Sequence, residues 1–451
     1  MNTLSPTAFD RVREMAFERD LARIPPEVAH FAALLLLDTL GVAAASRDMD
    51  AAKIARETAL DLYAARAGGP AAKMLFDGRE ASVAGAAFAA AAQIDNLDAH
   101  DGYNPTKGHI GVAVVPALLT FAQGLPPISG HEALAALIAG YEIGARAGIA
   151  LHATVTDYHT SGAWNALGVA VIGARLRKNT PEQLREALGI AEYHGPRSQM
   201  MRVIDVPTML HDGSAWGALA GATAVFLAER GFTGAPAITV EAAEVADIWR
   251  DLGEAWVVDR HYIKPYPVCR WIHALLGATL ELRAKHGIRA ADIAKIDLTA
   301  FHEATRLYRD VPETTAVAQY AIAFPVAAAL VRGRVGVDEI TGPGLQDPEV
   351  ARLVAMTEVH ESKDYNARFP AGRWGDVVIT MKDGGRFSSG PHDARGGPEN
   401  PLKEEEIVGK FFDFAVPAIG AARARSLAEA VLRLEERGSD FAPVLDLCCR
   451  L

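Results

Sequence analysis

Between two alanine-rich runs the chain carries DNLDAHDGYNPTKGH, Asp95 to His109, in which three acids, two histidines and a lysine share one glycine-containing segment. A carboxylate next to an imidazole can orient it and fix its tautomer, and a histidine near its ordinary pKa can give or take a proton at neutral pH. Four other segments concentrate polar groups in apolar or helical surroundings: TDYHTSGAWN around His159, PTMLHDGSAWG around His211, YIKPYPVCRWIH from Tyr262 to His273, and AVAQYAIAFPVAAAL near Phe324. Lys264 in the third is a cation, and a lysine desolvated in a cleft can move a proton as well as hold a carboxylate. Each segment also has a plain structural alternative. His159 or His211 alone reads as a cap or a satisfied core group, Asp95 and Asp98 as caps of a helix beginning near Gly111, and Lys264 as a surface residue beside the Pro265 and Pro267 turn.

The elements that would carry these groups are mainly helical. Pro25 and Pro26 precede an apolar run from Val28 to Ala45, while Ser129 with Glu132 and Thr180-Pro181 with Gln183 have capping-box spacing. Small residues repeat on several faces of NALGVAVIGARLRK and GSAWGALAGATAVFLAERG, as in helices packed on more than one side. Gly195 and Gly231 suit helix C-termini. From about Arg270 the pattern changes: AKIDLTAF alternates as a strand, and DVVITMKDGGRFSS reads as strand, turn and returning strand. The stretch Gly390 to Pro401 reads as a crossing linker, after which LKEEEIVGKFFDFA and ARSLAEAVLRLEERG return to helix. The expected fold is mainly α. Residues 1–268 and 402–451 form a large all-α domain, and 269–401 form a smaller inserted α+β domain.

Composition narrows the function. With 451 residues and half of them apolar, the chain can bury two cores, and a 7% aromatic content favours close-packed alanine-rich helices. A formal charge of −11 argues against a nucleic-acid partner or an anionic membrane surface, because an acidic protein gains nothing by counterion release there. The three cysteines, Cys269, Cys448 and Cys449, make no disulfide framework and no metal spacing, which predicts a reducing compartment. The N-terminal residues lack an apolar signal core, and runs such as FAALLLLDTLGVAAA contain Asp38 and fall short of the roughly 20 apolar residues of a span. A soluble, cytoplasmic protein is expected. Asp95, Asp98, His100, Asp101 and His109 are capable metal ligands, but their spacing matches no metal signature, so no metal is expected.

Taken in order, D…D…GH.G, DYHTSG, LHDGSA.G, KPYPVCR..H, QYAIAFPVAAAL..G and ENPL...EIVGKF resemble the 2-methylcitrate dehydratase (MmgE/PrpD) family, which includes cis-aconitate decarboxylase and iminodisuccinate epimerase. The resemblance runs along nearly the whole chain. It implies an inserted α+β lid, a site between the domains, a homodimer, no cofactor and a small polycarboxylate substrate. It also implies that Asp95, His109, His159 and Lys264 belong to the catalytic set. Deprotonation next to a carboxylate builds charge that needs fixed cations and donors nearby, and these residue types supply them.

The chain departs from the family pattern at several points. Ala99 ends the acidic run where a threonine is usual, Ile110 follows His109 in place of proline, Thr208 replaces a lysine, and Phe324 stands where decarboxylase-like members carry a tyrosine. His100, Asp101 and Lys107 are the loop's own. They are expected to set substrate choice, with His211 retained and Lys107, Arg202 or Arg270 supplying replacement charge; His100, Asp101, Lys107, His211 and Arg270 are the expected substrate-binding residues. The leading expectation is a hydro-lyase that eliminates water. An epimerase using a second base shares its first step, followed by a decarboxylase and a non-catalytic carboxylate binder.

Overall fold

The capping signals work as their spacing predicts. Ser129 Oγ accepts the Glu132 N–H at 3.1 Å to start the helix Gly130–Thr154, and Thr180 with Gln183 makes the reciprocal box that opens Pro181–His194. In the computed structural model, which describes residues 6–449, these belong to a set of helices that also includes Pro26–Ser46, Asp50–Leu62, Val83–Asp95, Gly111–Gln123, Gly162–Leu176 and Ser214–Glu229. Glycines let the helices approach closely. A Cβ at Gly168 would lie 2.4 Å from the Gly140 carbonyl oxygen, so the helices carrying these residues meet backbone to backbone.

Pro26–Ser46 and Gly130–Thr154 are 21 and 25 residues long and apolar enough to cross a membrane by length and composition, which corrects the expectation that the apolar runs fall short. Both are wrapped by other helices. Their apolar surface is covered by protein, and the one buried acid in the first, Asp38, is paired with Lys410 at 2.7 Å. Lys410 comes from Glu404–Ile419, one of three C-terminal helices, with Ala421–Leu432 and Ala442–Cys449, that return to the N-terminal part. The helical domain is thus built from both ends of the chain. It is not purely α, because a short antiparallel pair, Ala71–Lys73 with Glu80–Ser82, joins two of its helices.

The inserted part contains the alternating segment as strand Ile293–Ala300, at the middle of a mixed sheet. Thr357–Glu361 pairs with it in parallel, Trp374–Met381 antiparallel, and Arg386–Ser388 completes the hairpin across the Asp383–Gly385 turn. Helices His273–His286 and Ala323–Arg332 pack together, the former also against the sheet. The Gly390–Pro401 stretch is docked, which refines its reading as a linker: His392–Asp393 pairs with Trp374–Gly375, and the Gly396 carbonyl accepts the Ile263 N–H at 2.9 Å.

Candidate active site

The loop from Asp95 to His109 leaves one core helix and enters the next at Gly111. Backbone pairing holds its shape: Gly102 exchanges hydrogen bonds with Tyr262 at 2.8 and 3.1 Å, and the Tyr103 N–H donates to the Gly108 carbonyl at 2.9 Å. Gly102 has to be glycine, since a Cβ there would lie 2.2 Å from Tyr262 Oη and 2.9 Å from His109 Nδ1. From behind, Lys410 Nζ donates to the Ala99 carbonyl at 2.7 Å. From the lid side, Gln319 accepts the Asp98 N–H at 2.5 Å and donates to the Asn96 carbonyl at 3.1 Å.

Asp98 is the centre of the resulting cluster. Lys264, wholly buried, donates to its carboxylate and to its carbonyl oxygen. His100 Nε2 and His109 Nε2 each stand 4.0 Å from the same carboxylate oxygen. His100 Nε2 is also 3.7 Å from Asp95, and His109 Nε2 is 3.7 Å from Asp212. Asp95 accepts the Ser214 N–H at 3.1 Å, at the start of Ser214–Glu229, and Ser161 Oγ donates to Asp212 while accepting the His109 N–H at 2.8 Å. Three carboxylates, two imidazoles and one ammonium therefore share a space almost closed to bulk water.

Low exposure decides which groups carry charge. Burial acts to raise Asp98, but Lys264 and His109 beside it hold it below the ordinary carboxylate value. Burial, reinforced by Asp212 and Asp98, pushes Asp95 well above that value. Asp212 is likewise raised by burial and the Asp98 charge, against the hydrogen bonds from Ser161. Burial and Lys264 push His109 down to about 3, and burial takes His211 down to about 4. The cluster thus holds an ionised Asp98 hydrogen-bonded by Lys264, neutral imidazoles and protonatable carboxyls side by side. His109 Nδ1 lies 2.6 Å from the Asp101 carbonyl, which can only accept. The ring hydrogen is on Nδ1, and the Nε2 lone pair faces Asp98 and Asp212.

Of the expected site residues, Asp95, His100, His109 and Lys264 come together here. His211 borders them: its backbone sits at φ +43, its ring packs edge-on against Tyr320 at 5.5 Å, and neither of its ring nitrogens has a hydrogen-bond partner. The same holds for both nitrogens of His100. Asp101 faces the helix core, where it accepts the Tyr141 hydroxyl at 3.1 Å. Lys107 lies at the edge with Nζ 4.4 Å over the Tyr158 ring. Arg270 donates to the carbonyls of Ala394 and Arg395 and stacks 4.3 Å over Tyr262, so it fastens the lid linker. His159 has no hydrogen bond, ion pair or ring contact to the cluster among the described residues; its ring lies 6.5 Å from His152. Thr208 and Arg202 stand on the exposed rim of a cavity of about 750 Å³ whose inner lining includes Asp95, Asn96 and His211.

Asp98, Asp212, Ser161, Gln319 and Tyr320 join the site without having been expected there, although all lie inside the quoted segments DNLDAHDGYNPTKGH, HTSG, LHDG and QYAIAFP. Tyr320 is buried beside His211, in the turn four residues before Phe324, which is itself fully enclosed. As for metal-holding geometry, the described residues offer three ligand atoms within 4.8 Å of one another at Asp297, Glu358 and His360 on the lid sheet. Lys295 Nζ already pairs with both acids there at 2.9 Å.

Residues 11–249 match the MmgE/PrpD N-terminal domain and residues 266–436 the MmgE/PrpD C-terminal domain. The chain is similar to cis-aconitate decarboxylase of Homo sapiens, 24% identical over 375 residues that cover 78% of this chain and 76% of the relative. The Mus musculus enzyme of the same name is 23% identical, over 78% and 75%. Cis-aconitate decarboxylase of Aspergillus terreus is 23% identical over 414 residues, covering 84% of this chain and 83% of the relative. Matched through both domains, the chain belongs to the MmgE/PrpD family.

Proposed function

We propose that this protein is a cofactor-independent lyase that takes a proton from the carbon next to a carboxylate of a small polycarboxylate and expels water from the neighbouring carbon. The observation that carries this reading is the enclosed Asp98–Lys264 pair with the His109 and His100 imidazoles 4.0 Å from the Asp98 carboxylate. His109 Nε2, free of hydrogen, accepts the proton. The C–H electron pair becomes the new C=C bond as the C–O bond breaks. Asp95, whose carboxyl burial keeps protonated, gives its proton to the departing hydroxide, which leaves as water. Lys264 supplies positive charge where the substrate carboxylate gains electron density.

Decarboxylation is the second reading, favoured by the relatives named cis-aconitate decarboxylase. There the C–C bond to a carboxylate breaks, carbon dioxide leaves, and the electron pair remaining on carbon is protonated by the same acid. Incubating the protein with citrate, 2-methylcitrate and cis-aconitate in heavy water separates the outcomes. Water loss with a rising alkene absorbance supports the hydro-lyase, and carbon dioxide release supports the decarboxylase. Deuterium uptake with neither supports an epimerase, in which His100 or His211 serves as second base. Binding without any of the three would overturn the enzymatic reading.

The working unit is proposed to be a homodimer. Ile54, Val206, Leu210 and Trp216 are each more than half exposed around the mouth of the cavity, an apolar face that a second copy would cover.

A further inference from the structure

Arg373, at the start of strand Trp374–Met381, is 2% exposed. A guanidinium does not lose its charge at physiological pH, so enclosing one is unfavourable unless a counter-charge meets it. Arg373 Nη1 donates to the carbonyls of Pro370 and Gly372 and its guanidinium lies 4.7 Å over the Phe369 ring, but its Nε has no partner, and it forms no ion pair among the described residues. Asp393 is the acid that acts on it, yet Asp393 Oδ1 is held by the backbone N–H groups of Arg373 and Ala394 at 2.9 and 2.8 Å.

Lys107 is a second cation in the same condition. It is half-buried, forms no ion pair among the described residues, and lies over Tyr158, whose hydroxyl donates to the Lys107 carbonyl. The two cations belong to touching loops, since Asn104 Nδ2 donates to the Ala371 carbonyl at 3.1 Å. Burial and the Arg373 charge together lower the Lys107 pKa, outweighing the charge of Glu303. Tyr262 joins this corner to the cluster: its ring lies 6.4 Å from that of His109, and Arg373 acts on its hydroxyl.

We propose that Arg373 of the lid and Lys107 of the loop form an anion subsite that holds the substrate carboxylate remote from the reacting carbon, with Tyr262 separating it from His109. The assignment rests on the polycarboxylate reading above. It gives the lid a task in recognition: the subsite is complete only when the 369–373 loop meets the 104–107 loop.

Calorimetric titration tests this without turnover, using tricarballylate, which has no hydroxyl to eliminate, and its monoamide, which lacks one terminal charge. R373Q is expected to weaken tricarballylate binding by about thirtyfold or more, as for loss of one member of a buried charge pair, and K107M by about tenfold. Both variants should bind the monoamide within about threefold of the wild type, and R373K should recover part of the lost affinity. Tricarballylate affinities unchanged in R373Q and K107M would overturn the subsite. Equal losses for both probes would also overturn it, in favour of a structural role for Arg373 in its loop. If the wild-type protein binds neither probe, the polycarboxylate reading itself falls, and the subsite with it.

Discussion

Tyr320 illustrates how little a single position in a motif says about which hydroxyl reaches a site. Sequence placed the missing phenol at Phe324, but the helix Ala323–Arg332 turns that side chain into the lid core, while Tyr320 packs on His211. If its hydroxyl assists proton transfer, Tyr320→Phe should lower turnover or heavy-water exchange by about 10²- to 10⁴-fold with the fold intact. Phe324→Tyr should restore nothing, because its new hydroxyl would be enclosed among apolar groups; a rescued activity in the double variant would contradict this placement. Asp101 makes a different prediction. Burial pushes its carboxyl up to about 7, above the unfolded value of 3.8, so the folded state holds a proton that the unfolded chain has released. Its contribution to stability is full below the unfolded pKa and is lost as pH rises through the folded one. Asp101→Asn keeps an acceptor for the Tyr141 hydroxyl and cannot ionise. Its stability advantage over the wild type should grow between pH 4 and 7, to on the order of 4 kcal/mol, and level off above. Urea midpoints at pH 4, 5.5, 7 and 8 measure it, and a difference independent of pH would refute the assignment.

The charged loop was visible in the sequence as a concentration of acids and imidazoles; what holds it was not. Its ends are set by the helices Val83–Asp95 and Gly111–Gln123, but its path depends on Gly102 lying flat against Tyr262, a residue 160 positions away. Gly102→Ala should push Tyr262 Oη and His109 Nδ1 aside. The expected result is a loss of about 100-fold in turnover, the scale of effect that follows an ångström of misplacement, with the helical circular dichroism unchanged. Activity within about threefold of wild type would mean that the loop yields without moving the imidazole. The helix starts at Ser129 and Thr180, the strand Ile293–Ala300 and the hairpin at Asp383–Gly385 were legible because each depends on neighbours within a few residues. The docked stretch after Gly390 was not, because Arg270 and Ile263, which fasten it, precede it by over a hundred positions.

The whole chain closes around the site from both ends. Lys410 reaches from a C-terminal helix to Asp38 in an N-terminal one and to the Ala99 carbonyl, and Gln319 ties the lid to Asp98. The exposed apolar face at Ile54, Val206, Leu210 and Trp216 leads to the prediction of a dimer. Sedimentation should give twice the chain mass for the wild type, and Trp216→Glu should shift it toward the monomer; a monomeric wild type at micromolar concentration would remove the dimer from the proposal. Composition, caps and alternation were enough for a mainly α chain with an inserted α+β part, and motif order was enough for the family, since both are written in local pattern. Which acids keep their protons, that Asp98 is the partner of Lys264, and that Arg373 is enclosed without an ion pair among the described residues were decided only by tertiary structure. Those properties depend on desolvation and on distances between residues far apart in the chain, and no spacing along the sequence encodes either.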